Sequence, residues 1–223
     1  MTDAAATPAP ADLAALLSAK LCHDLAGPVS ALGAALSVLD DEDAADMRDD
    51  ALNLVRSGAR QAQAKLEFMR LAVGAGGSAP SRVDMSQIQS LAGAMFSEHK
   101  PELVWKTEAG SLDKPAARVL LNLIWLAVDA VPRGGTVTIE ASAPEGGMAR
   151  LRIVSAGPRA RLDPACAAAL AGEAPESGFD ARSIQPFYAG LIARENGGRA
   201  EARAEDERVE FAALIAPQAA EAA

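Results

Sequence analysis

Aromatic residues are scarce in this chain, 4% of the sequence, with one tyrosine, two tryptophans and five phenylalanines. A β-sandwich core of aromatic and β-branched side chains is therefore not expected, and the abundance of alanine favours helices. Positive charge is also in short supply: 21 Lys and Arg stand against 30 Asp and Glu, a net charge of −9. A nucleic-acid groove needs the opposite balance. The two cysteines, Cys22 and Cys166, have neither metal-ligand spacing nor the density of a disulfide framework. Cys22 lies in an apolar helical pattern and reads as a small packing residue. No uninterrupted apolar run approaches the roughly 20 residues that span a bilayer. Residues 1–11, rich in Ala, Pro and Thr, lack the basic and apolar regions of a signal peptide and read as a disordered leader. A soluble, cytoplasmic protein is expected.

What is present is helical periodicity. Leu13, Leu17, Leu21, Leu25, Leu32, Leu36 and Leu39 recur mostly at three- or four-residue steps. After the acidic turn Asp40-Asp41-Glu42-Asp43, a second stripe runs through Met47, Leu52, Val55, Ala59, Ala62, Leu66, Met69 and Val73. Negative charge suits the start of that second helix, placed at 44–73. Residues 12–74 thus form an αα-hairpin. A Gly/Ser/Pro-rich linker at 75–83 separates it from a second domain at 84–216, and a short tail occupies 217–223. In the second domain, helices are expected at 85–98, 114–131, 165–170 and 182–195. Strands are expected at 103–107, 136–141, 148–155, 199–203 and 208–215. The class is α+β. A lone hairpin has nothing of its own to bury its apolar face against, so a homodimer forming a four-helix bundle is expected. The competing arrangement packs the hairpin on the second domain.

Two histidines are present, His23 and His99. His99, beside Pro101 at a predicted helix end, reads as a solvated or capping residue. His23 lies about 120–180° around its helix from most of the leucine stripe, and so faces solvent. Ala19, Gly27, Ser30 and Ala34 share its side, with Lys20 at the edge. Mid-helix glycine and Pro28 weaken and bend the helix, and the small side chains leave a low strip on which a partner helix could dock. Lys20, one turn before the histidine, is placed to steady a phosphoryl group. An imidazole has a useful neutral, nucleophilic fraction near neutral pH.

His23-Asp24-Leu25-Ala26-Gly27-Pro28 resembles the His-Asp/Glu-Leu-x-x-Pro phosphorylation motif of sensor histidine kinases. The segment from Asn122 to Val137 resembles their asparagine box and the strand after it. The departures are informative. The kinases' second asparagine, which helps hold Mg²⁺, is Leu126 here. Their adenine-recognising Asp-x-Gly-x-Gly segment corresponds to Ser155-Ala156-Gly157-Pro158-Arg159, so the aspartate has become serine. Ser183-Ile184-Gln185-Pro186-Phe187-Tyr188-Ala189-Gly190-Leu191 runs on where a glycine-rich phosphate lid would be. A nucleotide–Mg²⁺ complex needs the groups that are missing. Gln185 and Asn196 are left as structural residues.

This combination resembles the ChpT family of histidine phosphotransferases from cell-cycle phosphorelays. The resemblance implies a homodimer whose second domain is a degenerate histidine-kinase-type ATPase-like α/β sandwich. It implies transfer through His23, from the receiver aspartate of a hybrid kinase to the receiver aspartates of response regulators. No ATP, resident metal, nucleic acid or membrane is involved on this reading, and Mg²⁺ comes with the receivers. Asp24 takes the place of the kinases' general base. The alternatives are an ATP-dependent histidine kinase with an atypical nucleotide site and a pseudokinase that docks partners without carrying phosphate.

Overall fold

The computed structural model describes residues 7–74, 81–144, 146–175 and 178–218. The first part of the expected leader, the first six residues of the expected linker (75–80) and the end of the tail (219–223) lie outside the described residues.

Helix α1, Pro10–Leu39, opens with a proline and Asp12 in its first turn, both suited to a helix start, and continues through Pro28. A 3₁₀ turn, Glu42–Met47, follows, with the Asp41 side chain accepting from the Asp43 N–H at 3.0 Å. Helix α2, Arg48–Val73, then runs back and ends at Gly74 in the left-handed conformation, φ +87°. The second helix was expected from residue 44. The Asp41 side chain caps a separate 3₁₀ turn there, and the chain kinks at Ala44, φ −100° and ψ 29°, before α2 begins. The helices pack closely at Gly58, where an added Cβ would lie 3.1 Å from Leu32 Cγ and 3.3 Å from the Pro28 carbonyl oxygen.

Strand β1, Arg82–Asp84, pairs antiparallel with β3, Ser111–Asp113. Three-residue strands carry too little alternation to be read from sequence. Helix α3, Met85–Met95, leads to β2, Pro101–Thr107, and helix α4, Lys114–Asp129, to β4, Gly135–Ser142. Strands β2 and β4 are parallel, with Leu103 opposite Val137 and Trp105 opposite Ile139. A parallel pair requires such a helical crossover. The remaining elements are β5 (Ala149–Ala156), α5 (Pro164–Ala171), α6 (Ile184–Glu195), β6 (Arg199–Glu205) and β7 (Arg208–Ile215). The sheet order is β2-β4-β5-β7-β6. Helices α4 and α6 cover one face. The other carries an ion-pair ladder in which Arg152 joins Glu140 at 3.0 Å and Glu210 at 2.7 Å, and Arg203 joins Glu210 at 2.7 Å. Edge strand β6 exposes Arg199, Glu201, Arg203 and Glu205.

Helix α4 is the centre of the core. It is buried almost all round, as a helix covered on every side must be. The base of the hairpin packs onto it. Phe68 of α2 is fully buried between Phe96, 5.5 Å centroid to centroid, and Trp125 of α4 at 5.9 Å, both edge to face. Leu13, Leu17, Leu21 and Leu25 of α1 also lean on this core. The last carbonyls of α2 have no intrahelical partner and are met by side chains of the α/β domain. Asn122 Nδ2 donates to the Ala72 oxygen at 3.0 Å. The Val73 oxygen accepts from Arg118 at 3.1 Å and from the Tyr188 hydroxyl at 2.6 Å.

Of the two arrangements expected of the hairpin, packing on the second domain is the one seen, and it is confined to the base. Its base packs on the α/β domain, while Val29, Leu36, Met47 and Leu54 remain exposed further out. Among the described residues α1 is the one helix long and apolar enough to cross a membrane. It nevertheless carries Lys20, His23 and Asp24 at its middle and seats four leucines on the core.

Asn122→Ala should destabilise the chain by about 1–3 kcal/mol, because the Ala72 carbonyl would stay buried without its donor. Urea unfolding followed by circular dichroism measures this, with the slope of the transition unchanged.

Candidate functional site

Helix α1 presents His23 outward, its side chain 81% exposed, as the angular spacing predicts. Ala19, Gly27, Ser30 and Ala34 are exposed on the same helix, and nothing lies within 4 Å of a Cβ built at Gly27. Cys22 is exposed as well, contrary to the packing role expected for it. The apolar pattern around it belongs to positions that step past it by three and four residues, so sequence proximity to leucine did not place it in the core.

Asp24 turns the other way and is 13% exposed. Its carboxylate joins two neighbours: Oδ1 lies 3.2 Å from His23 Nδ1, and Oδ2 lies 2.6 Å from Lys20 Nζ. A carboxylate only accepts, so this contact is a hydrogen bond in the Nδ1–H tautomer of the neutral imidazole, the form that leaves the Nε2 lone pair free. Nε2 has no protein partner among the described residues. Lys20 is 17% exposed. Its ammonium lies on Asp24 and 4.6 Å above the centre of the Trp125 ring. Lys65 of α2 donates to the main-chain oxygen of Asp24 at 3.0 Å, fixing α1 to α2 at the level of the histidine.

The α/β domain adds two groups that sequence reasoning did not single out, Trp125 and Asp129. Both lie on α4, one turn apart. Asp129 stands at the rim of an open cleft of about 660 Å³ bordered by Leu126, Arg161, Asp163, Cys166 and Arg182. Its carboxyl keeps contact with solvent, but protein atoms crowd it. Burial pushes its pKa up to about 6, against the opposing pull of Lys20 and with a further push from Asp24. Asp129 therefore belongs to the same electrostatic cluster as the pair beside His23.

His99 follows α3, its ring edge-on to Phe96 at 5.2 Å, and its pKa is lowered by burial and then by Lys65. Its ring is partly covered by Phe96 while the rest of the residue is open to solvent, so it belongs to the aromatic seam and not to the carboxylate beside His23.

The positions that correspond to a kinase nucleotide site are occupied by other bonds. Asn122 is spent on the Ala72 and Arg118 carbonyls. The buried Ser155 hydroxyl donates to the Ala127 oxygen at 2.6 Å, so it faces the core of the domain and not a base. Leu126 is nearly buried and offers no oxygen to a cation. These residues do not fit an ATP–Mg²⁺ complex. Asn196, expected to be structural, bonds the Ile192 carbonyl at the end of α6. Gln185 is buried in the first turn of α6.

Residues 85–208 match the family described as the histidine phosphotransferase C-terminal domain. The protein phosphotransferase ChpT of Brucella abortus (strain 2308) is 37% identical over 202 residues, 91% of this chain and 95% of that protein. The chain belongs to the histidine phosphotransferase family. The solved structure of a bacterial phosphotransferase superposes with a TM-score of 0.83 at 33% identity, covering 95% of this chain and all of that one. The structure of full-length ShkA in complex with AMPPNP is similar in fold, with a TM-score of 0.50 at 23% identity, over 96% of this chain and 47% of that one. The architecture is thus a helical hairpin followed by a histidine-kinase-like α/β domain, and the activity class is protein phosphotransfer.

The raised pKa of Asp129 has a measurable consequence. The folded chain holds this proton more tightly than the unfolded one, so stability falls as pH rises from the ordinary carboxyl value through about 6. Asp129→Asn should leave the melting temperature unchanged near pH 4 and raise it by roughly 2–4 °C at about pH 7.5. Calorimetry at the two pH values tests this.

Proposed function

We propose that His23 carries the phosphoryl group of a multistep relay, taking it from the receiver aspartate of a hybrid kinase and passing it to receiver aspartates of response regulators. The observation that carries this reading is the paired geometry at residue 23. The imidazole is the exposed partner of a nearly buried carboxylate, with Nδ1 engaged and Nε2 facing solvent.

The Nε2 lone pair attacks phosphorus, and the bond from phosphorus to the donor carboxylate breaks, its electron pair leaving with that carboxylate. The phosphorylated ring keeps its Nδ1 proton and is cationic. The Asp24 carboxylate stabilises that charge at 3.2 Å. An acceptor carboxylate then attacks phosphorus and the N–P pair returns to Nε2. Most of the catalysis in such a transfer comes from positioning and charge compensation. Mg²⁺ arrives with each receiver. Ala19, Gly27, Ser30 and Ala34 form the docking strip, whose small side chains let a receiver helix approach the imidazole. The chain needs no nucleotide on this reading, which is supported by Leu126 and by the internal bonds of Asn122 and Ser155.

Two copies meet through the outer hairpin as a four-helix bundle, supported by the uncovered Val29, Leu36, Met47 and Leu54. The protein works in the cytoplasm, where receivers are found, and the family resemblance of its sequence motifs implies a place in cell-cycle signalling.

Phosphotransfer from a phosphorylated receiver should label the wild type and leave His23→Ala unlabelled. Labelling by ATP alone would instead make the chain a kinase. Retention of signalling by His23→Ala in cells would make it a docking module. Light scattering at micromolar concentration should give the mass of a dimer, and a monomer would refute the bundle.

A further inference from the structure

The Lys20 ammonium has been met so far as a neighbour of the histidine, yet its contacts lie on the far side of Asp24. It holds Oδ2 at 2.6 Å and sits over the indole of Trp125, 4.6 Å from the ring centre. Trp125 is 6% exposed and wedged edge-on against Phe68 at 5.9 Å. The indole is therefore a fixed floor in the α/β domain, and the lysine ammonium touches both that floor and the carboxylate. Other charges reach the same place from each packed element: Lys65 from α2, on the Asp24 main chain, and Asp129 from α4, which also attracts Lys20.

We propose that Lys20 and Trp125 are positioning residues for His23, a contact chain running from the α/β domain through Lys20 and Asp24 to the imidazole. This rests on the reading that His23 is the phosphorylated residue, and adds how its reactive nitrogen is selected. Asp24 has two oxygens and a rotatable side chain. With Oδ2 clamped by Lys20, Oδ1 is turned to Nδ1 and the ring is held with its proton on that atom. Histidine in water favours the other tautomer, with the proton on Nε2, which leaves no lone pair on the exposed nitrogen. The clamp offsets that preference, because a hydrogen bond to an ionised acceptor is stronger than one to water. The indole face holds the ammonium over the carboxylate by attraction to the ring quadrupole and by excluding water from one side.

In this arrangement the α/β domain contributes to phosphotransfer without touching the phosphoryl group. It supplies the platform on which a cation orients a carboxylate. The arrangement also accounts for a lysine that is 17% exposed beside an imidazole that is 81% exposed. A lysine whose task was to bind phosphate directly would keep its ammonium in the open.

The test is ¹⁵N NMR of His23 in the full-length chain, read beside transfer kinetics from a phosphorylated receiver. The wild type should show the Nδ1–H tautomer as the major neutral form. Lys20→Met keeps the stem and removes the charge; it should shift the ring to the Nε2–H tautomer and lower the transfer rate about tenfold with receiver KM unchanged. Trp125→Leu should do the same through a displaced Lys20, while Lys20→Arg, which can still pair and stack, restores both readouts. Lys20→Met leaves the core intact, so its result stands even where Trp125→Leu fails to fold. An unchanged tautomer in Lys20→Met overturns the proposal. So does slow transfer with a wild-type tautomer, which would place the ammonium on the phosphoryl group. Transfer by His23→Ala would overturn the relay reading, whereas the tautomer comparison does not depend on transfer.

Discussion

The structure depends on a buried helix end. The last carbonyls of α2 point into the α/β domain, and a buried carbonyl without a donor is destabilising by about 1–3 kcal/mol. Asn122, Arg118 and Tyr188 supply those donors from two different helices, α4 and α6. Beside them Phe68 fills the space between Phe96 and Trp125. Polar and apolar constraints thus act at one place, and together they set how the hairpin leaves the domain. Everything near His23 inherits that geometry, because Lys20 reaches Trp125 only if α1 stands against α4 at this angle.

The same seam shows how residues of a histidine-kinase-like fold are tied up in bonds within the chain. Asn122 keeps its place in the sequence pattern while its amide bonds the end of the hairpin. The Ser155 hydroxyl secures β5 to α4 through the Ala127 carbonyl. Each residue is buried and bonded, so each contributes to the fold without a ligand. The open cleft beside α4 has mixed charge, with Asp129 and Asp163 beside Arg161 and Arg182.

Much of this was legible from periodicity. The hairpin, α4, α6 and the alternating strands β4, β5 and β7 are long enough for their period to show, and His23 could be placed off the leucine stripe by angle alone. What escaped was set by tertiary contact. The β1–β3 pair has three residues on each side, and the parallel partnership of β2 with β4 leaves no mark on either strand. Residues 42–47 form a separate 3₁₀ turn because the chain kinks at Ala44, a break that helical periodicity does not show. Cys22 was misplaced because apolar neighbours in sequence are not neighbours on a helix face. Lys20 was placed correctly beside His23, but its partner Trp125 lies more than a hundred residues away, beyond the reach of local spacing.

Edge strand β6 has a wider consequence. Its exposed side chains alternate in sign, Arg199, Glu201, Arg203 and Glu205, along one free border of the sheet. A strand from another molecule adding at that border would have to desolvate four charges or match them in register. Growth of the sheet by stacking chain upon chain is thereby discouraged. At this border addition through strands, which has no natural end, is opposed, whereas the helical bundle proposed above closes after two copies.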